Sequence, residues 1–107
     1  MTKKNKKAKL KRKNILNKSV KPSISVCLIV KDEERFLDNC LKSVKDIASE
    51  IIIVDTGSKD NTIKIAKKFG AKIVKFRWND DFSKARNFSI SKATKEWILV
   101  LDPDERI

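Results

Sequence analysis

Two aspartates separated by a single residue, Asp102 and Asp104, follow directly on five apolar residues, Trp97-Ile98-Leu99-Val100-Leu101. An unbroken run of that length reads as a strand buried on both faces, a central strand of a parallel sheet. Charged groups cannot follow such a strand into the core, so both carboxylates emerge at its C-terminal end, the side on which open α/β sheets bind ligands. Carboxylates at this spacing suit a hard divalent cation, Mg²⁺ or Mn²⁺, or a pair of ligand hydroxyls. Asp55 closes the short apolar run Ile51–Val54, and Asp32, Glu33 and Glu34 follow the run Ile24–Val30. Neither G-x-G-x-x-G nor G-x-x-x-x-G-K-[ST] occurs, so no glycine-rich loop is available to cradle phosphate. A phosphorylated ligand would need a metal, or a cation such as Arg86. The acceptor-only carboxylate of Asp55 suits ribose hydroxyls or a base N–H. Together these residues point to a nucleotide held through a divalent ion. The chain has no histidine, which excludes His-based triads and His-ligated zinc within it.

The elements that must position these groups alternate in type. Ile24–Val30 predicts a first strand. Phe36, Leu37, Cys40, Leu41, Val44 and Ile47 then recur on a helical period with polar residues opposite. Ile51–Val54 is a second strand, and T-G-S-K-D-N-T after Asp55 is rich in turn and capping residues, with Ser58 or Asp60 a cap for the next helix. That helix runs through Ile63, Ala66 and Phe69, and Gly70 is placed as its terminator. Ala71–Phe76 makes a third strand. After the loop R-W-N-D-D, Phe82 and Ser83 are a hydrophobic staple and N-cap for a helix over 84–93. Asp60, Asp80 and Asp81 are expected in capping and helix-dipole roles, and Trp78 and Trp97 as packing residues. The order β-α-β-α-β-α-β with right-handed crossovers predicts an α/β fold: a Rossmann-like parallel sheet in the order 3-2-1-4, with helices on both faces. Strands 1 and 4 then flank the switch point, and the acidic groups converge on one crevice.

At 107 residues the chain holds one small domain with a modest core. Charge is uneven along it. Residues 1–22 carry ten Lys/Arg and no acid, so the net charge of +12 is largely a basic tail on a nearly balanced domain. The tail has no sustained apolar block of the kind a signal peptide needs, and no stretch is long enough to span a bilayer. It is expected to be a disordered, solvated extension with weak attraction to anionic lipid. Nucleic acid, the other polyanion such a tail would meet, is not expected as the partner; it would show as a steep loss of affinity with salt. Cys27 and Cys40 fall in a strand and a helix and form no C-x-x-C. Buried free thiols are the expectation, consistent with a reducing cytoplasm, with contact to the inner face of the membrane through the tail.

The segments I-V-K-D-E-E, I-I-I-V-D-T-G-S-K-D-N-T, W-N-D-D-F-S-K-A-R-N and L-D-P-D-E-R, in this order and spacing, resemble the N-terminal half of a family 2 glycosyltransferase. The resemblance covers Ser23–Ile107 and implies a truncated GT-A fold that uses nucleotide-diphosphate sugars, with a UDP-sugar the expected donor. It places Asp55 at the base or ribose, and Arg86 near the base or diphosphate. Asp102-Pro103-Asp104 becomes the D-x-D motif, with Asp102 facing ribose or metal and Asp104 ligating the Mn²⁺ or Mg²⁺ that bridges the diphosphate. It also implies inverting chemistry. Two departures stand out: Asp32 where the family often has Asn, and Pro103 where a small residue is commoner. The acceptor-binding half and the catalytic base are expected beyond residue 107, so the acceptor is unassigned. Two alternatives follow: a remnant that binds nucleotide without turnover, and a binding module driven by the basic tail. A haloacid-dehalogenase-type phosphatase also sets D-x-D after an apolar strand. It expects Thr or Val two residues beyond the second Asp, where this chain has Arg106. A sheet ending at the fourth strand leaves one edge unpaired, which predicts partial instability or association.

Overall fold

The fold is taken from a computed structural model, which describes residues 9–12 and 23–106. Five strands and three helices follow in the order β1 (Lys9–Arg12), β2 (Ile24–Val30), α1 (Leu37–Val44), β3 (Glu50–Asp55), α2 (Thr62–Lys68), β4 (Lys72–Lys75), α3 (Phe82–Ser91) and β5 (Trp97–Val100). They form one sheet in the order β1-β5-β2-β3-β4, in which β2, β3, β4 and β5 are mutually parallel. Those four strands stand in the 3-2-1-4 arrangement expected.

Strand burial explains the arrangement. In β2, Val26, Leu28 and Val30 face α1 and α2, packing with Leu37, Cys40, Leu41, Val44 and Ala66. The alternate residue Cys27, with Ile52, Val54, Ile98 and Val100, packs on the opposite face beneath α3 with Phe88 and Ala93. Period-two alternation thus builds two cores from strands that are apolar on both sides. Both cysteines are buried free thiols.

Local chemistry sets the helix ends. Gly70, at φ 71°, ends α2, with its N–H donating to the Lys67 carbonyl at 3.0 Å and that of Ala71 to Ala66 at 3.3 Å. The N-cap of α3 is Asp81, whose carboxylate accepts the Lys84 N–H at 3.1 Å. Ser83 therefore lies inside the helix, which begins two residues before the expected start. Aspartate is the stronger acceptor and also complements the helix dipole.

The basic tail departs from expectation over four residues. Lys9–Arg12 pairs antiparallel with β5, Lys9 opposite Val100 and Arg12 opposite Trp97. The edge of β5 expected to be open is therefore occupied, because a row of unpaired N–H and C=O groups is a template for any nearby extended segment. The segment reads K-L-K-R, three basic residues in four, a composition that discourages further pairing at a sheet edge. The rest of the tail, and with it most of the disorder and membrane expectation, lies outside the described residues. Among the described residues no helix is long and apolar enough to cross a membrane.

At the N-terminal rim of the sheet, Glu50 joins four segments. Its carboxylate accepts from Ser25 Oγ at 2.5 Å, Thr94 N–H at 2.7 Å and Thr94 Oγ1 at 3.0 Å, and pairs with Lys72 Nζ at 3.2 Å. Burial acts to raise its pKa, but these hydrogen bonds outweigh burial and bring it to about 2 from 4.5. A depressed carboxylate stabilises the fold above its unfolded pKa and loses that contribution as pH falls through the folded value. Stability should therefore decline between pH 4.5 and about 2. Glu50→Gln, followed by urea unfolding across that range, is expected to flatten part of the decline; an unchanged slope would count against this network. Removing residues 1–12 should reopen the β5 edge and give concentration-dependent association on size-exclusion chromatography, whereas an unchanged monomer elution would contradict the edge-covering role of β1.

Candidate functional site

All the acidic groups singled out from sequence emerge on the C-terminal rim. β2 lies between β3 and β5, with Val30 opposite Asp55 and Cys27 opposite Val100. The Leu101 N–H continues that pairing, donating to the Cys27 carbonyl at 3.1 Å. Asp55 and Asp102 thus stand two interstrand spacings apart, roughly 10 Å, on the same side of the sheet. Three hollows run together along this rim. One of about 480 Å³ is bounded by Asp55, Gly57, Lys75 and Trp78. Through Thr56 and Trp78 it meets one of about 230 Å³ lined by Ile29, Glu33 and Phe82. Ile29, Glu33 and Phe82 also line the third, of about 310 Å³, with Asp102, Pro103 and Asp104. The result is one crevice from Asp55 to Asp104.

The D-x-D segment is a turn. The Glu105 N–H donates to the Asp102 carbonyl at 2.9 Å, placing Pro103 at the second position, where its fixed φ favours the bend. Asp104 is exposed at the tip, Asp102 is half-buried and Pro103 is buried. Cys40 Sγ lies 3.7 Å from the Asp102 carbonyl and ties the turn to α1. Burial, then the charges of Glu105, Asp104 and Asp102, push the Cys40 thiol up to about 12, so it is neutral.

Asp55 is almost fully buried, at 2 % exposure. Its carboxylate accepts the Gly57 N–H at 3.2 Å and the Ser58 N–H at 3.2 and 3.3 Å to its two oxygens. It therefore shapes the wall of the 480 Å³ hollow by holding the loop that follows it. The β2–α1 and β3–α2 loops are laced together. Asp32 Oδ1 accepts Lys59 N–H at 2.6 Å, while Asp32 N–H donates to Ser58 Oγ at 2.9 Å. The N–H groups of Glu33 and Glu34 donate to Thr62 Oγ1 and Asp60 Oδ2 at 2.7 and 3.2 Å. Asn61 N–H returns to Glu34 Oε1 at 3.1 Å. Asp32 sits at φ 52°, in the left-handed region that Asp and Asn tolerate best. The N-cap of α2 is Asn61, without a side-chain cap bond, rather than Ser58 or Asp60; Asp60, one residue earlier, accepts from both the N–H and the hydroxyl of Thr62 and so braces the start of the helix.

Glu33 is the acid whose importance sequence spacing did not single out. Burial, then Asp104, Asp60, Asp102 and Asp32, raise its pKa above 4.5. Its carboxyl therefore feels the charges of both the D-x-D turn and the opposite loop. Trp78 is the other omission. Expected to be a packing residue, it is 41 % exposed, lines two of the hollows, and meets Phe82 edge-on at 6.4 Å. Its indole N–H donates to Asp80 at 3.0 Å, since this ring has an apolar body and one polar tip to satisfy. Arg86 is carried by α3, its guanidinium 4.8 Å above the Phe82 ring. Its Nε is buried without a hydrogen-bond acceptor among the described residues, and no ion pair joins it to Asp80 or Asp81. The residue expected to meet a diphosphate thus keeps an unused donor.

Among the described residues, no three His, Cys, Asp or Glu side chains form a metal cage. A hard cation such as Mg²⁺ characteristically takes one or two carboxylates and completes its shell with water and substrate phosphate. Asp102 and Asp104, in a crevice where burial and then neighbouring carboxylates raise Glu33, fit that pattern.

The sequence pattern described as Glycosyl transferase family 2 matches residues 25–107. A TPR repeat-containing protein of Synechococcus elongatus is 54% identical over 84 residues, which is 78% of this chain and 21% of that protein. The prophage-derived glycosyltransferase SunS of Bacillus subtilis is 44% identical over 89 residues, 81% of this chain and 21% of its own length. Among solved structures, glucosyl-3-phosphoglycerate synthase of Mycobacterium tuberculosis, in complex with Mn²⁺, UDP and glucosyl-3-phosphoglycerate, superposes with a TM-score of 0.67. It is 21% identical, and the match covers 79% of this chain and 36% of that one, a likeness of fold. The chain spans between 21% and 32% of the length of curated relatives it matches.

Glu33→Gln removes one charge from the crowded crevice. The crowding exists while Glu33 is ionised and disappears once it is protonated. In EDTA, the variant should melt roughly 2 °C or more above wild type at pH 7, with the gap closing toward pH 4. Equal midpoints at pH 7 would contradict the cluster.

Proposed function

We propose that this chain, which belongs to glycosyltransferase family 2, binds a nucleotide-diphosphate sugar through a divalent metal. Residues 23–107 would form the N-terminal nucleotide-binding part of a GT-A glycosyltransferase that moves the sugar to an acceptor. The observation that carries the reading is the placement of Asp102 and Asp104 on a turn lining the same hollow as the charge-crowded Glu33. Carboxylates gathered this way repel one another until a cation joins them.

Asp104, exposed at the turn tip, and half-buried Asp102 are the residues that would hold Mn²⁺ or Mg²⁺. Bound there with the diphosphate, the ion would supply stabilisation of the charge that builds on the departing nucleoside diphosphate. Arg86 would aim its unused Nε–H at the diphosphate, a charge-assisted hydrogen bond that strengthens as the leaving group becomes more negative. Asp55 would define the base and ribose end, its carboxylate anchored by the loop that forms the wall. Trp78 and Phe82 would shield the middle of the crevice from water. The Mn²⁺ and UDP carried by the mycobacterial synthase make UDP with Mn²⁺ the pair to test first. The acceptor and the catalytic base are assigned to no residue of this chain.

Calorimetric titration with UDP should show binding with Mn²⁺ and a large loss in EDTA. Asp104→Ala should reduce the Mn²⁺-dependent affinity about tenfold or more, and Arg86→Ala by a similar factor with or without metal. Wild-type protein that ignores UDP in Mn²⁺ would overturn the reading.

A further inference from the structure

We propose that Glu105 is a positioning residue that fixes the Asp102-Pro103-Asp104 turn in its ligating shape, acting through the Asp102 backbone rather than on the metal. This rests on the metal-dependent reading of the site given above.

Three observations carry it. First, Glu105 Oε1 accepts the Asp102 N–H at 2.8 Å while the Glu105 N–H donates to the Asp102 carbonyl at 2.9 Å. The two residues close a reciprocal ring around Pro103 and Asp104. This is the logic of a capping box, in which a side chain three residues on satisfies the backbone donor that the turn leaves over. Second, Glu105 is only 6 % exposed, and its Oε2 has no hydrogen-bond partner among the described residues. A buried carboxylate oxygen without a donor is unfavourable, and an apolar side chain would avoid the penalty. The other oxygen, Oε1, accepts the Asp102 N–H, a task that an apolar residue cannot perform. Third, the Asp102 carbonyl takes a second contact, from Cys40 Sγ at 3.7 Å. Both polar atoms of the Asp102 peptide are therefore held, its N–H by Glu105 and its C=O by the turn and α1. The side chains of Asp102 and Asp104 project from a backbone with little freedom left, and partners that orient metal ligands in this way typically contribute ten- to a hundredfold to affinity.

The position depends on reach rather than charge, which separates it from a third ligand. Glu105→Gln keeps the length and an amide oxygen that can accept from Asp102. Glu105→Asp keeps the charge but is one methylene short. The full chain of each variant, and Glu105→Ala, would be titrated with UDP in Mn²⁺ and in EDTA, with folding followed by circular dichroism. Glu105→Asp and Glu105→Ala are expected to lose about tenfold or more of the affinity in Mn²⁺ and nothing in EDTA, while Glu105→Gln stays within about threefold of wild type. Should Glu105→Ala fail to fold, the Gln and Asp pair carries the comparison. Wild-type affinity of Glu105→Asp in Mn²⁺, or equal losses in Mn²⁺ and EDTA, would overturn the positioning role while leaving the site intact. Absence of UDP binding by wild type would instead remove the functional reading, and this inference with it.

Discussion

A strand packed on both faces has no room for charge along its length. β2, β3 and β5 are such strands, their alternate residues divided between a core under α1 and α2 and a second under α3. Glu50 at the start of β3, Asp55 at its end and Asp102 beyond β5 are therefore displaced to one rim or the other. The parallel arrangement makes all C-terminal ends fall together. From that constraint come the crevice, its acidity and the laced loops around it.

The two rims treat their acids in opposite ways. At the N-terminal rim Glu50 receives hydrogen bonds from Ser25 and Thr94 and a cation from Lys72, and its pKa is pulled down to about 2. At the C-terminal rim Glu33 is held above the ordinary carboxylate range by burial and by Asp104, Asp60, Asp102 and Asp32. Among the described residues Glu105 keeps an oxygen without a donor, and Arg86 a nitrogen without an acceptor. A structural carboxylate looks like Glu50. Groups left crowded or unmatched, gathered where ligands bind open α/β sheets, look like one half of a complex.

The loops around the crevice are fixed by backbone hydrogen bonds more than by side-chain packing. Asp55, Asp32, Asp60, Asp81 and Glu105 each accept main-chain N–H groups. Several of the acids that would attract attention as ligands are thereby committed to shaping the walls. Asp104, at the tip of its turn, is exposed.

The sequence alone carried the fold: apolar runs of strand length, helical periods between them and acids at their ends dictate a parallel sheet and a rim where those acids collect. Four motifs in order also carried the family. Pro103 could be read as a turn, and Gly70 as a helix terminator, because each rests on local backbone preference. What the sequence left open depends on distance in space. Whether Asp55 presents or buries its carboxylate is decided by the N–H groups of Gly57 and Ser58. Glu33 gained its place from residues nearly thirty and seventy positions away. Trp78 is exposed because the hollows open beneath it. The pairing of Lys9–Arg12 with β5 is likewise not local: a basic segment reads as solvated until a bare sheet edge lies alongside it. Local preference is written residue by residue, but burial, crowding and edge pairing exist only once the chain has closed on itself.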